Sequence, residues 1–303
     1  MTRRGKANGL ALGETLLLIF ICMFVVLLSI PLLRHRPPRM TAYRSACSTH
    51  LAGIGKAISI YANDYQDELP RAGGRDTSWA ARTPNWMGKD RREAFGLAAN
   101  RSGGQASISA SLYLLVKYEE VVPKMFLCAE GQATVEQGMS EFKPATYGVR
   151  DKKLTDLWDF GPNPTQHVSY AYHLPYGRFK LTTDSEPGFA VAADHNPWLD
   201  SPSTKAGNFA RFKPDISPFN GSQRQALRGN TFRHEGQGQN VLFLDSHVEF
   251  AKRSYAGLDD DNIYTISGSP TAGDPLGTPP KLGSEPANPR DSLLVNDPPA
   301  PPK

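Results

Sequence analysis

The chain carries no excess of one charge. Its 34 lysines and arginines against 30 aspartates and glutamates leave +4 over 303 residues, so composition calls for neither nucleic acid nor an acidic partner. No phosphate loop, zinc-ligand spacing or nucleophile motif is present, which removes the motif-based grounds for nucleotide binding, a zinc module or nucleophilic catalysis. Cysteine is scarce: Cys22, Cys47 and Cys128. Cys22 lies inside an apolar run. Cys47 and Cys128 are a candidate disulfide if the globular part lies outside the cytoplasm, and otherwise two separate buried thiols. Glycine and proline, by contrast, are plentiful at 27 and 25, which points to many turns and irregular loops.

What the chain has is an apolar run from Leu10 to Leu33, with no charged residue between Thr15 and Leu33. As a helix that uncharged stretch is about 28 Å long, which predicts a single membrane-spanning helix. A secretory signal peptide is the rival, but its apolar core is shorter and no small-residue cleavage site follows here. The run ends at Arg34, His35, Arg36, Pro37, Pro38 and Arg39, and Arg3, Arg4 and Lys6 flank its other side, so positive charge does not orient it. Glu14 stands at the head of this run and needs an explanation, because a carboxylate among apolar groups is costly unless something neutralises it.

The leader MTRRGKANG, the glycine that ends it, Glu14, the apolar run and Pro31 together resemble a type IV prepilin, the class that includes type II secretion pseudopilins. The resemblance implies cleavage by a prepilin peptidase after Gly9, methylation of the new terminus at Leu10, and a helix kink at Pro31. It implies that Glu14, the fifth mature residue, neutralises the α-ammonium of a neighbouring subunit and so fixes the stagger between packed helices. The bland alternative places Glu14 in the headgroups at the edge of the span. The resemblance further implies a bacterial inner-membrane protein, single-pass, with a cytoplasmic N-terminus and an extracytoplasmic globular domain. Its partners would be the prepilin peptidase/N-methyltransferase and other pilin-like subunits, with no nucleic acid.

Beyond Pro38, the apolar positions Cys47, Leu51, Ile54, Ile58, Tyr61 and Tyr65 recur by fours and threes, which predicts an amphipathic helix from about residue 42 to 63 whose stripe packs on the globular part. The stretch CSTHLAGIGKAISIYANDYQDELP resembles the corresponding segment of a large bacterial prepilin-like family through Cys47, Leu51, Ile54, Gly55, Ala57, Tyr61, Asp64 and Pro70. In that family a later Pro-Phe-Cys element, here Pro123, Phe126 and Cys128, follows a leucine-rich helix, here predicted over residues 108–118. That places Cys128 near the long helix. Residues 71–106, with Trp79, Trp86 and several arginines, read as a long surface loop that the tryptophans can order in part.

HVSYAYHL, GFAVAAD and the hairpin NVLFLDSHVEF read as strands, giving a small antiparallel sheet in an α+β layer architecture. The same family ends on a histidine, nine residues and Asp-Gly. Here ten residues separate His234 from Asp245, and Ser246 stands where the glycine would be. His234, Asp194, Asp245 and His247 at strand ends are candidates for a metal or catalytic site, although a turn aspartate ordinarily caps its turn and a histidine there ordinarily packs. Asp259, Asp260 and Asp261 form an acidic knot that some pseudopilins would use for calcium, without EF-hand spacing. Ten of the 25 prolines lie beyond residue 269, so residues 266–303 read as a disordered tail.

The expectation is therefore a pilin-like α+β fold: a long N-terminal helix, transmembrane then amphipathic, on a small antiparallel sheet with long loops. The expected role is a non-enzymatic subunit with no required cofactor. The rivals are a membrane-tethered binding module that does not polymerise and a hydrolase using His234 and Asp245.

Overall fold

The computed structural model describes residues 12–34, 39–128, 139–199, 222–267 and 277–299. The chain divides into two compact units, Met1–Ala42 and Tyr43–Lys303.

In the first unit, helix α1 runs from Leu12 to Arg34 with Glu14 in its first turn, where an acid is favoured by the helix dipole. The side chains described in α1 run only from Gly13 to Val26. Among the described residues, no helix is long and apolar enough to cross a membrane. The expected transmembrane helix and the single-pass inner-membrane location are corrected on that finding.

Helix α2 runs from Arg39 to Asp64 and reaches into the second unit. Its stripe Cys47, Leu51, Ile54, Ile58 and Tyr61 is buried. Gly55 lies on the same helix, where a Cβ would fall 2.6 Å from Leu242 Cδ1. Glycine in a helix interior costs about 1 kcal/mol, and here its missing side chain admits the sheet's Leu242.

The sheet has five strands: β3 (Tyr170–His173), β4 (Ala190–Asp194), β5 (Gln239–Phe243), β6 (Val248–Ala251) and β7 (Leu294–Val295), after a short parallel pair β1 (Ser78–Trp79) and β2 (Gln105–Ala106). Its order is β6-β5-β4-β3-β7, and every neighbouring pair is antiparallel. Alternation along the strands sends Tyr170, Tyr172, Leu242 and Val295 into one core with the α2 stripe, and Ala171, Ala193, Val241 and Leu294 into a second core on the other face. Burial on both faces is why β4 reads Ala-Val-Ala-Ala with no polar alternation. An irregularity between Ala190 and Ala192 puts both Val191 and Ala192 on the α2 side.

Two further expectations are corrected. Residues 71–106 are not a surface loop: they hold helix α3 (Arg91–Phe95) and bury Ala72, Trp79, Ala94, Phe95 and Leu97. The C-terminal segment is not a disordered tail over its described residues. Leu293, Leu294 and Val295 are fully buried, and β7 pairs with β3. Beyond β7, Asp297 accepts the backbone N–H groups of Ile108 at 2.8 Å and Ser109 at 2.9 Å, at the start of helix α4 (Ile108–Tyr118), and the Trp79 indole N–H at 3.2 Å. It satisfies donors that every helix N-terminus leaves open. Burial and the Asp159 carboxylate push its pKa up to about 7, while those backbone N–H groups pull it down.

Candidate functional site

Antiparallel pairing brings the end of β4 beside the start of β5. Asp194 closes β4, and Asn240 follows the first residue of β5. The Asn240 backbone N–H donates to Asp194 Oδ2 at 2.7 Å, and its side-chain Nδ2 donates to the same oxygen at 3.2 Å. His234, on the turn before β5, sets Nε2 3.1 Å from that oxygen and 3.2 Å from Asn240 Nδ2. Both His234 and Asp194 are fully buried.

The turn that delivers His234 is strained. His234 (φ 54°, ψ 35°) and Glu235 (φ 58°, ψ 25°) are consecutive left-handed residues other than glycine, followed by Gly236 at φ 69°. Such conformations cost about 1–2 kcal/mol per residue and persist only where the surroundings impose them. Asn230 imposes this one, its Nδ2 donating to Gly236 O at 3.1 Å and Lys252 O at 2.9 Å. The Phe250 ring packs on the His234 imidazole, with centroids 6.0 Å apart.

Cys47 of α2 and Cys128 join the same place. They form a disulfide with Cα atoms 5.0 Å apart, closing a sequence separation of 81. Beside it, His50 Nδ1 donates to Leu127 O at 2.9 Å and Tyr170 Oη donates to Cys47 O at 3.4 Å. One ligand-type atom each from Cys47, Cys128, Asp194 and His234 lies within 4.8 Å of the others, and all four residues are buried. Arg233 is also buried, with Nη2 2.8 Å from Met139 Sδ and with Nε and Nη1 making no hydrogen bond among the described residues. Burial and the Asp194 charge push the Tyr170 hydroxyl well above its ordinary pKa, against the Arg233 charge.

The other sequence candidates fall elsewhere. Asp245 does not meet His234, because the five residues of β5 lie between them and span about 17 Å. Asp245 instead contacts His247, Oδ1 to Nδ1, at 2.5 Å, on the exposed turn between β5 and β6. Hydrogen bonds from the His247 backbone and ring hold the Asp245 carboxyl below the usual range. Ser246 takes φ 70° in that turn. Asp259 pairs with Arg290, Asp260 with Arg253, and Asp261 accepts the Ser292 N–H and the Ser267 hydroxyl, so the three carboxylates address separate partners. Gly9 and Leu10 lie outside the described residues, as does the Pro31 side chain.

Sequence reasoning placed Asp194 and His234 among candidates without joining them to the cysteines, and it missed Asn240 and Arg233. The available signal was topological: adjacent antiparallel strands put Asp194 and the residues before Gln239 at one end of the sheet.

The first unit offers a different feature. Ten apolar side chains of α1 between Leu16 and Val26 are each 48–63% exposed, Leu16, Ile19 and Phe20 among them. Cys22 on the same helix is an exposed free thiol. Such a helix is apolar all round, a pattern found where a helix is enclosed by other chains or elements. No protein-family model, curated protein or solved structure matches the chain.

Proposed function

We propose that this chain is a non-enzymatic pilin-like subunit. A prepilin peptidase removes its first nine residues and methylates Leu10. Copies then associate through α1, as part of a type II secretion or type IV pilus-like machine. The observation that carries this reading is the exposed apolar surface of α1 from Leu16 to Val26. Each such side chain gains about 1.5–3 kcal/mol on full burial, which is a strong drive for helices of neighbouring copies to pack together. Glu14, at the head of that surface, then meets the new α-ammonium of a neighbour. Either charge buried alone is costly, and the pair is much less so, so pairing selects one axial stagger. The second unit presents a rigid, disulfide-closed surface to partners.

Two measurements on the full chain, produced together with a prepilin peptidase, test this. Mass spectrometry of the mature protein should find an N-methyl-Leu10 terminus, and a chain retaining residues 1–9 overturns the reading. Bismaleimide cross-linking through Cys22 should yield covalent dimers that fall at least about tenfold in Glu14→Ala. Undiminished cross-linking in that variant removes the proposed pairing.

A further inference from the structure

Four side chains from four separate segments meet in the second unit: Cys47 on α2, Cys128, Asp194 at the end of β4 and His234 before β5. We propose that the reduced protein binds one zinc ion between them, so that the same residues alternate between a disulfide and a metal centre. This is independent of the assembly role proposed for α1.

The geometry fits. Tetrahedral zinc holds sulfur at about 2.3 Å and nitrogen or oxygen at about 2.0–2.2 Å, so the edges of its coordination shell are about 3.3–3.8 Å. The four ligand atoms already lie within 4.8 Å of one another. Two thiolates and an imidazole select zinc over calcium or magnesium, which take oxygen ligands. Asp194 is prepared for the role. Oδ2 is held by both nitrogens of Asn240, whereas Oδ1 is buried and makes no hydrogen bond among the described residues. Asn240 thus acts as the outer partner that orients a ligating carboxylate. The imposed left-handed backbone at His234 fixes the imidazole at this place rather than leaving it on a relaxed turn.

Charge balances in both states. In the disulfide form, the Asp194 carboxylate and the buried Arg233 guanidinium cancel. In the zinc form, two thiolates and one carboxylate bring three negative charges, against two positive charges on zinc and one on Arg233. The exchange therefore leaves no net charge in a buried region, where an uncompensated one is costly. Electrons and protons also balance. A dithiol reductant supplies two electrons and two protons, leaving as its own disulfide, and converts Cys47–Cys128 to two thiols. Zinc then displaces both thiol protons to solvent.

The test uses the full chain carrying Cys22→Ser, so that Cys47 and Cys128 are the only thiols. Zinc binding is measured by competition with a chromophoric chelator before and after reduction, under anaerobic conditions. The reduced protein should bind one zinc per chain at least about 100-fold more tightly than the oxidised protein. Cobalt(II) in place of zinc should give a thiolate-to-cobalt charge-transfer band, and zinc should protect both thiols from alkylation until a chelator is added. His234→Gln and Asp194→Asn should each weaken binding at least about tenfold. Equal binding by the two redox forms overturns the proposal, whether or not the reduced chain keeps its fold. So does a cobalt spectrum without the thiolate band, or unchanged affinity in His234→Gln.

Discussion

Strand β5 has a histidine–aspartate pair near each end, and the two pairs live in different worlds. His234 and Asp194, near its start, have side chains 0% exposed and sit 3.1 Å apart. His247 and Asp245, past its end, are about half exposed and 2.5 Å apart. The shorter contact is the weaker one energetically. Water screens an exposed pair to a fraction of a kcal/mol, whereas a buried pair loses far more when one partner is removed, because the other is left uncompensated. Distance alone therefore ranks these sites wrongly; burial and the outer partners rank them correctly. The buried end has Asn240, Arg233 and a disulfide around it, whereas at the exposed end His247 stacks on the Phe243 ring, centroids 4.4 Å apart, and the Ser246 hydroxyl meets that of Ser59.

The largest test of this contrast is removal of the disulfide. Constraining a loop of 81 residues stabilises by about 4.5 kcal/mol in the chain-entropy treatment. Replacing both Cys47 and Cys128 with serine should lower the unfolding free energy extrapolated from urea denaturation by that amount in metal-free buffer, and no change at the exposed turn should approach it. Next comes the aspartate comparison. Asp194→Ala should cost about 3–5 kcal/mol and Asp245→Ala less than about 1 kcal/mol, both by equilibrium unfolding. Equal costs would erase the distinction between the two ends.

Acid should separate buried from exposed groups as well. Burial lowers the pKa of His173, on β3, to about 4. The unfolded chain takes up that proton near the ordinary histidine value of about 6.5, so neutral His173 contributes stability that is full above that pH. It is lost as pH falls from there toward 4, at no more than about 1.4 kcal/mol per pH unit. The slope of stability against pH in that window should flatten in His173→Gln. Asp245, whose carboxyl is held low, contributes stability present above the ordinary carboxyl range and lost as pH falls through it. Asp245→Asn should accordingly alter the curve only below about pH 4, and weakly.

Much of this architecture is legible in the sequence where the signal is local. The spacing of Cys47, Leu51, Ile54, Ile58 and Tyr61 gives α2 because one helix face meets one core. The alternation around Asp245–Ser246 gives the hairpin because both strands and their turn are contiguous. What stays hidden is long-range. Leu293, Leu294 and Val295 are three apolar residues amid proline and aspartate, and their partner strand is more than 100 residues earlier. Nothing local distinguishes them from a solvated tail. Asp297 reads as one more acid in that tail until α4 is placed beside it. The apolar run at α1 is the opposite case: its composition is conspicuous, yet composition alone does not say what encloses it.

The smallest effect is also the most discriminating, because the same substitution can be made at both ends of β5. Ser246 at φ 70° and His234 at φ 54° both occupy the left-handed region, where glycine alone is unstrained. At the exposed turn, the Ser246 N–H donates to Phe243 O at 2.9 Å, a backbone bond that glycine keeps. The side chain offers only an exposed contact to the Ser59 hydroxyl at 3.1 Å. Ser246→Gly should therefore stabilise by about 0.5–1 kcal/mol, read as a rise of a few degrees in Tm. His234→Gly relieves the same kind of strain but deletes the buried partner of Asp194 and the packing on Phe250, so it should destabilise by several kcal/mol. Opposite signs from one substitution mean that the strain at His234 is retained for the side chain it positions, whereas the strain at Ser246 supports the turn and one exposed contact to Ser59. A gain in stability at both positions would show that the buried pair contributes less than the backbone strain it requires.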